Sequence, residues 1–469
     1  MNYAAVVRIL CVLGLLKSSA LLLAGAVALA YREWIQLAAI SMTLFVLLVL
    51  SLSLLLLTPK PVRAASPKDG LAVLVLWWVL AGCFGAGPFI FDAYQGWVTP
   101  ILHESFSSLT TTGHAALVPV STDGDWPNSL IVWRGLLHII GALTSLVSVA
   151  SIFAALNLGG PGIHKTVLFT LPEGSFFDAL PRVLVAASLA LAGLIGVVAT
   201  VLSLSGVPFA LAMSDAVSVA TTGLVDPGRA SDVPINRLHA ILLFVGLVFS
   251  TIGLAVALEA VAGRWRGVFR DPEVVSLVGT LILFSAALGL LGISIWDAVG
   301  WNVSLISTSG MPLGEMPSRD IPLIMSVVPA LIGGSALSTA GGLKLARLYL
   351  LFARAGEEFA RLGFRDSVVV MRFRGRVLPD AGVIGVWVYL VAYVVVIAAL
   401  IAANTLCNLN FPDAVSSAVG LISNTGSLID LSASNRPRIS DLLAIAAMIL
   451  GRLEVIALIP ALSWGFWRA

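Results

Sequence analysis

The sequence predicts an all-α polytopic membrane protein, with two N-terminal helices followed by four repeats of helix, pore loop and helix around a pseudo-fourfold pore. Three observations carry that prediction. Of the 469 residues, 59% are hydrophobic and only 11% charged, more apolar surface than a soluble fold needs. A short polar motif ending in glycine returns four times between apolar runs: Ser108-Leu109-Thr110-Thr111-Thr112-Gly113, Ala220-Thr221-Thr222-Gly223, Ser307-Thr308-Ser309-Gly310 and Ser423-Asn424-Thr425-Gly426. Comparable intervals between the copies indicate structural repeats. Basic residues, finally, gather in alternate connections, as the positive-inside bias requires.

The first two spans occupy 6–30 and 34–57, each long enough for the roughly 20 residues that cross a bilayer; together they form an N-terminal helix pair over 1–57. Lys17 interrupts the first and reads as a structural residue. The second ends at Pro59-Lys60-Pro61-Val62-Arg63, a basic loop placed in the cytoplasm. Pore repeat 1 covers 70–157, with its outer helix at 71–91, pore helix at 97–109 and return helix at 130–156. Pore repeat 2 covers 181–263, with pore helix 209–220 and return helix 238–261. Pore repeat 3 covers 274–354, with pore helix 296–306 and an interrupted return helix at 321–351. Pore repeat 4 covers 382–469, with pore helix 411–421 and return helix 442–467. The linker before it carries Arg354, Arg361, Arg365, Arg372, Arg374 and Arg376. Two spans plus four helix–loop–helix units put both termini in the cytoplasm and let all four pore loops dip in from outside.

Non-helical backbone at membrane depth survives only where protein buries it or water lines it. Four such loops about one axis place rings of carbonyl oxygens where a dehydrated cation can exchange its water shell. The predicted filter residues are Thr111, Thr112 and Gly113; Thr221, Thr222 and Gly223; Thr308, Ser309 and Gly310; and Asn424, Thr425 and Gly426. Glycines there can adopt φ > 0, which aims successive carbonyls inward. Asp297 and Asp413 stand thirteen residues before their glycines, where a carboxylate complements the positive end of the pore-helix dipole. Glu104 and Asp215 lie closer to theirs and serve another structural purpose.

Two further features stand out. Gly333, Gly334, Ser335, Ser338, Thr339, Gly341 and Gly342 lie within a predicted return helix, ending at Lys344. Each glycine costs about 1 kcal/mol relative to alanine in a helix interior. Such a stretch forms either a loop obstructing the path below the filters or a small-residue surface for a neighbouring helix. Arg452 sits in an apolar run, where an arginine costs roughly 2.5–3.5 kcal/mol on insertion scales. It faces the pore beneath the filter as part of the gate, or it forms a buried ion pair. Glu454 is a poor partner for it, two residues along the helix.

The remaining composition excludes other classes. A net charge of +2 gives no footprint for nucleic acid. Cys11, Cys83 and Cys407 are far apart and outside metal-ligand patterns. The five histidines lack ligand spacing, and no hydrolase, protease or nucleotide-loop motif occurs, so no enzyme is expected.

With these residues in view, the chain resembles the TrkH/KtrB/HKT superfamily of potassium transporters, and most closely its TrkH branch. The resemblance rests on the stretch from His103 to Gly113, on Gly333 to Lys344, on Gly451-Arg452-Leu453-Glu454 through Phe466-Trp467-Arg468, and on the extra N-terminal pair of spans. It implies potassium uptake across a bacterial inner membrane as the translocating subunit of a Trk-type system. It also implies an intramembrane gating loop at Gly333 to Gly342, with Arg452 near it. A homodimer is expected, regulated by a cytoplasmic TrkA-like ring that binds nucleotide. No cofactor is expected in this chain, and potassium is its substrate. In the plant branch, serine at the first filter glycine goes with sodium; Gly113 favours potassium. A sodium-conducting or weakly selective channel of the same fold, or a non-conducting scaffold or sensor, are the alternatives.

Overall fold

The computed structural model describes residues 1–61, 67–92, 98–117, 126–155, 176–230, 236–314, 321–363, 372–373, 376–377, 380–429 and 439–453. Helices α1 (Tyr3–Ala30) and α2 (Trp34–Leu57) form an antiparallel pair. Arg32 turns the chain between them at φ +59°. Glu33, just after the turn, accepts the backbone N–H groups of Asn128 and Ser129 at 2.8 and 3.0 Å, which ties the pair to the outer end of the first unit. Leu21, Ile40, Trp78, Phe89 and Trp133 share the core between the pair and that unit.

Four units follow. The first is α3 (Pro67–Gly85), α4 (Val98–Leu109) and α5 (Asn128–Ala155); the second is α6 (Phe176–Leu204), α7 (Phe209–Thr221), α8 (Arg237–Thr251) and α9 (Leu254–Val261). The short α10 (Trp265–Phe269) leads to the third: α11 (Pro272–Leu290), α12 (Ile295–Ile306), α13 (Leu323–Ile332) and α14 (Leu345–Gly363). The fourth is α15 (Asp380–Leu406), α16 (Phe411–Ser423) and α17 (Ile439–Leu453). The all-α expectation holds, apart from an antiparallel pair of two-residue strands, β1 (Arg372–Phe373) and β2 (Arg376–Val377).

Among the described residues, seven helices are long and apolar enough to cross a membrane: α1, α2, α3 with its continuation to Phe91, α5, α6, α11 and α15. The return helices of the second and third units are shorter, at 15 residues for α8 and 10 for α13. In the third unit this is the predicted interruption: α13 stops at Ile332 and α14 resumes at Leu345. The second unit corrects the sequence reading, which expected a continuous return helix over 238–261. It breaks at Ile252–Gly253, and the freed backbone groups bond to the glycine-rich stretch, with Ser335 N–H donating to Thr251 O at 3.0 Å and Leu254 N–H to Leu337 O at 2.9 Å. In the third unit α14 runs on past residue 351 as a charged helix, where Arg354 pairs with Glu357 and Glu358. The 158–181 linker lies outside the described residues up to 175, as do Arg365, Arg374, Glu454 and the Phe466-Trp467-Arg468 ending.

Candidate functional site: four pore turns and a loop beneath them

The short helices α4, α7, α12 and α16 end at the four polar motifs. Two of them start as capped helices should. Ser294 and Asn410 accept the N–H groups of Asp297 and Asp413 at 3.2 and 3.0 Å, so both carboxylates stand in a first turn, where the helix dipole favours them. Glu104 and Asp215 each precede the left-handed residue of their turn (Thr111, Thr222) by seven positions and reach into the return helix instead. Glu104 forms an ion pair with Arg134 of α5, and both side chains are fully buried. It also accepts Ala116 and Leu117 N–H groups at 2.8 and 3.2 Å. Asp215 meets His239 of α8 at 2.8 Å. The first two units thus brace the turn with a buried acid–base pair, and the last two with a capped acidic first turn.

After each helix the chain enters the left-handed region at one residue: Thr111 (φ +53°), Thr222 (+51°), Thr308 (+58°) and Asn424 (+58°). Three of these are β-branched, for which positive φ is a genuine outlier, sustained only where the surroundings over-determine it. The following N–H closes the turn on a carbonyl five residues back in every unit: Thr112 on Ser107, Gly223 on Ser218, Ser309 on Ser304 and Thr425 on Gly420. Hydroxyls flanking the left-handed residue pair behind three of the turns, Thr110 with Thr112 at 2.8 Å, Ser307 with Ser309 at 3.0 Å and Ser423 with Thr425 at 2.9 Å.

This geometry corrects the alignment of the second motif. Gly223 is the structural counterpart of Thr112, Ser309 and Thr425, and Leu224 stands where the other turns have Gly113, Gly310 and Gly426. The second motif is one residue shorter between the left-handed residue and the glycine, so matching on glycine slipped it by one position. Three turns, not four, therefore carry glycine at that place. Positive φ is confined there to Gly113 (+75°) and Gly310 (+67°); Gly426 opens a short 3-10 turn instead. Gly223 is needed for another reason, since a Cβ on it would meet Thr111 O and, at 2.8 Å, the ring of His138.

The four turns form a closed ring. A Cβ on Gly113 would lie 2.6 Å from Leu224 N, which puts the first turn against the second. Leu224, Val303, Met311 and Leu313 share one cluster between second and third. A Cβ on Gly310 would lie 3.3 Å from that of Ser427, third against fourth. Asn424 Nδ2 donates to Thr112 Oγ1 at 3.0 Å and closes fourth on first. Thr111, Thr112, Thr221, Thr222, Thr308, Ser309, Asn424 and Thr425 are all fully buried. Arg134, missed in the sequence, binds the outer edge of this ring, donating to Val225 O at 2.7 Å, Gly113 O at 3.3 Å and Leu224 O at 3.4 Å. Its signal was available as an ionisable residue within an apolar span.

Gly333 through Gly342 form a buried loop, not a helix. Its ends are drawn together by Leu343 N–H to Leu331 O at 2.8 Å and Leu345 N–H to Gly334 O at 2.9 Å, with Gly333 and Gly342 in positive φ where the two strands of the loop cross. It touches the underside of the ring at each unit. Thr339 Oγ1 donates to Ala220 O at 3.1 Å, and Gly341 N–H to Thr308 Oγ1 at 2.8 Å. Gly341 packs on Ser423 O. Arg452 supplies the link to the first unit: Nε donates to Thr110 O and Nη1 to Thr339 O, both at 2.6 Å, while Nη2 reaches Thr111 Oγ1. Of the two readings of Arg452, the ion pair is not what the described residues contain; its acceptors are carbonyls and a hydroxyl. Lys344, at the end of this stretch, is buried at φ +76° and donates to Ser338 O and Ala340 O.

Known proteins share this fold. Residues 280–463 match the TrkH family, described as a cation transport protein. The chain is 29% identical to the Trk system potassium uptake protein TrkH of Salmonella typhimurium and to that of Escherichia coli K12, with 100% of each chain covered. It is 26% identical to the Vibrio parahaemolyticus protein of the same name, again over 100% of each chain. The crystal structure of the potassium transporter TrkH from Vibrio parahaemolyticus superposes with a TM-score of 0.85 at 25% identity, covering 100% of both chains. The resemblance to the TrkH branch holds along the whole chain, and the protein is a multi-pass membrane protein of that fold.

Proposed function

We propose that this TrkH-like chain is the ion-translocating subunit of a potassium uptake system, with the ring of four turns as its selectivity filter and the Gly333–Gly342 loop as its gate. The observation that carries the proposal is the contact of one buried loop with the underside of all four turns, three directly and the first through Arg452. A loop so placed obstructs any path along the ring axis, and its glycines let it take another course. The turns offer backbone carbonyls held by fixed hydrogen bonds behind them, the arrangement that replaces an ion's water. Transport names on full-length relatives support potassium as the ion. They also support transport rather than catalysis as the activity; the apolar helices and the bacterial relatives support an inner-membrane location, and the basic connections in the sequence support cytoplasmic termini. The Trk-system names fit a multi-component assembly, and we extend the proposal to a homodimer with a TrkA-like nucleotide-binding partner on the cytoplasmic side, potassium as substrate and no cofactor in this chain.

The test is growth of a potassium-uptake-deficient bacterium on limiting potassium with this chain supplied, beside flux of potassium and sodium through the purified protein in liposomes. Rescue with potassium preferred supports the proposal. Rescue failure together with equal sodium and potassium flux would shift it to the weakly selective reading. That reading has one specific observation behind it, Leu224 in place of a fourth ring glycine.

A further inference from the structure

A cavity of about 370 Å³ opens beside the gate, between α6, α8, α9 and the glycine-rich loop. Its rim is the outward-facing Leu189, Val197 and Val261, exposed by 69%, 63% and 78%. Its floor is buried: Ala220 at the end of α7, and Leu337, Ser338 and Thr339 of the loop. The mouth lies midway along the apolar stretch Leu184–Leu204, so in a membrane it faces hydrocarbon and not headgroups.

The chemistry of the lining selects the occupant. Among the described residues, no charged side chain lines the cavity. The hydroxyls at its floor are already committed, Ser338 Oγ donating to Ser335 O at 2.7 Å and Thr339 Oγ1 to Ala220 O at 3.1 Å. A ligand with polar groups would leave them unmatched at a cost, whereas hydrocarbon loses nothing. We propose that this cavity binds one acyl chain of a membrane lipid, and that the chain props the glycine-rich loop in its position under the filters. Arg452 grips Thr339 O and Lys344 grips Ser338 O, and the cavity borders those same residues. A loop that swings clear of the ring needs the volume the acyl chain takes. This second half rests on the gate assignment; the binding site itself does not.

The test uses the full chain in liposomes containing a phosphatidylcholine with a mid-chain photoactivatable diazirine, with adducts located by peptide mass spectrometry. Adducts are expected at Leu337 and Leu254 inside the cavity, besides those on outward-facing residues such as Phe45. Gly193 lines the cavity, and a side chain there meets nothing within 4 Å. Gly193→Leu therefore fits the fold and fills the space. It should cut labelling of Leu337 at least tenfold, leave Phe45 labelling unchanged and lower potassium flux severalfold. Labelling confined to outward-facing residues in the wild type overturns the site, and this readout needs no transport, so it leaves the transport proposal untouched. Lost labelling in Gly193→Leu with unchanged flux overturns the propping role. Should Gly193→Leu fail to fold, the wild-type labelling pattern still decides the site.

Discussion

Replacing Arg452 with glutamine separates the gate from the scaffold. The side chain is 5% exposed and spans two bodies: the first turn through Thr110 O and Thr111 Oγ1, and the loop through Thr339 O. A hydrogen bond from a charged donor contributes about 1.5–3 kcal/mol. Losing the one to Thr339 O should favour release of the loop by roughly ten- to a hundredfold, less whatever hold Lys344 retains on Ser338 O and Ala340 O. The charge also repels a cation arriving beneath the filter, so its removal acts in the same direction. Thermal stability should fall modestly, by about 1–3 kcal/mol for each carbonyl left unpaired. The larger penalty of an orphaned buried charge does not arise, because the acceptors are neutral. Arg452→Lys is the informative companion: it keeps the charge, but an ammonium lacks the planar fork that reaches Thr110 O and Thr339 O together. Potassium flux in liposomes and melting temperature, read on one preparation, give the answer. Both variants should pass more potassium, the glutamine variant more than the lysine one. Unchanged or lower flux in well-folded Arg452→Gln would refute the gating role and leave Arg452 as a brace for the first turn.

Gly113→Ser should weaken discrimination against sodium, because φ is +75° and a Cβ would come 2.6 Å from Leu224 N; reversal potentials in mixed potassium and sodium measure it. Deleting 334–341 should raise potassium flux in liposomes, and equal or lower flux with folding verified would favour a packing role for that stretch. Glu104→Gln should cost roughly 3–5 kcal/mol of stability by leaving buried Arg134 without its carboxylate, seen as a lower melting temperature in detergent. Gly223→Ala should be poorly tolerated, since its Cβ would meet Thr111 O, while Leu224→Gly should keep the ring and sharpen potassium preference; the pair of variants, scored by permeability ratio, tests the shifted register.

The pore helices were legible because their determinants are local. Polar motifs mark their ends, and Ser294 and Asn410 mark two of their starts, so predicted and observed limits differ by one or two residues. The glycine-rich break was legible for the same reason, four glycines within ten residues being more than a helix carries. What escaped is tertiary in origin. A single glycine at 253 is tolerable inside a helix; α8 ends there because the loop offers Ser335 N–H and Leu337 O to the groups a break exposes. The slip in the second motif has a related cause. Glycine was assumed to mark positive φ, yet the first left-handed residue is threonine or asparagine in every turn, and Gly223 is glycine because Thr111 O of the first turn and the His138 ring lie too close for a side chain. Arg134 and Lys344 were legible as charges in apolar surroundings but not as partners of the turns and the loop, because the acceptors they meet there are backbone carbonyls. Those carbonyls become available only where a turn or loop has left the helical ladder, so a buried cation in such a chain points to broken backbone as well as to a carboxylate such as Glu104, the partner of Arg134. That availability explains why three of the buried cations, Arg134, Lys344 and Arg452, all reach the four turns or the loop beneath them.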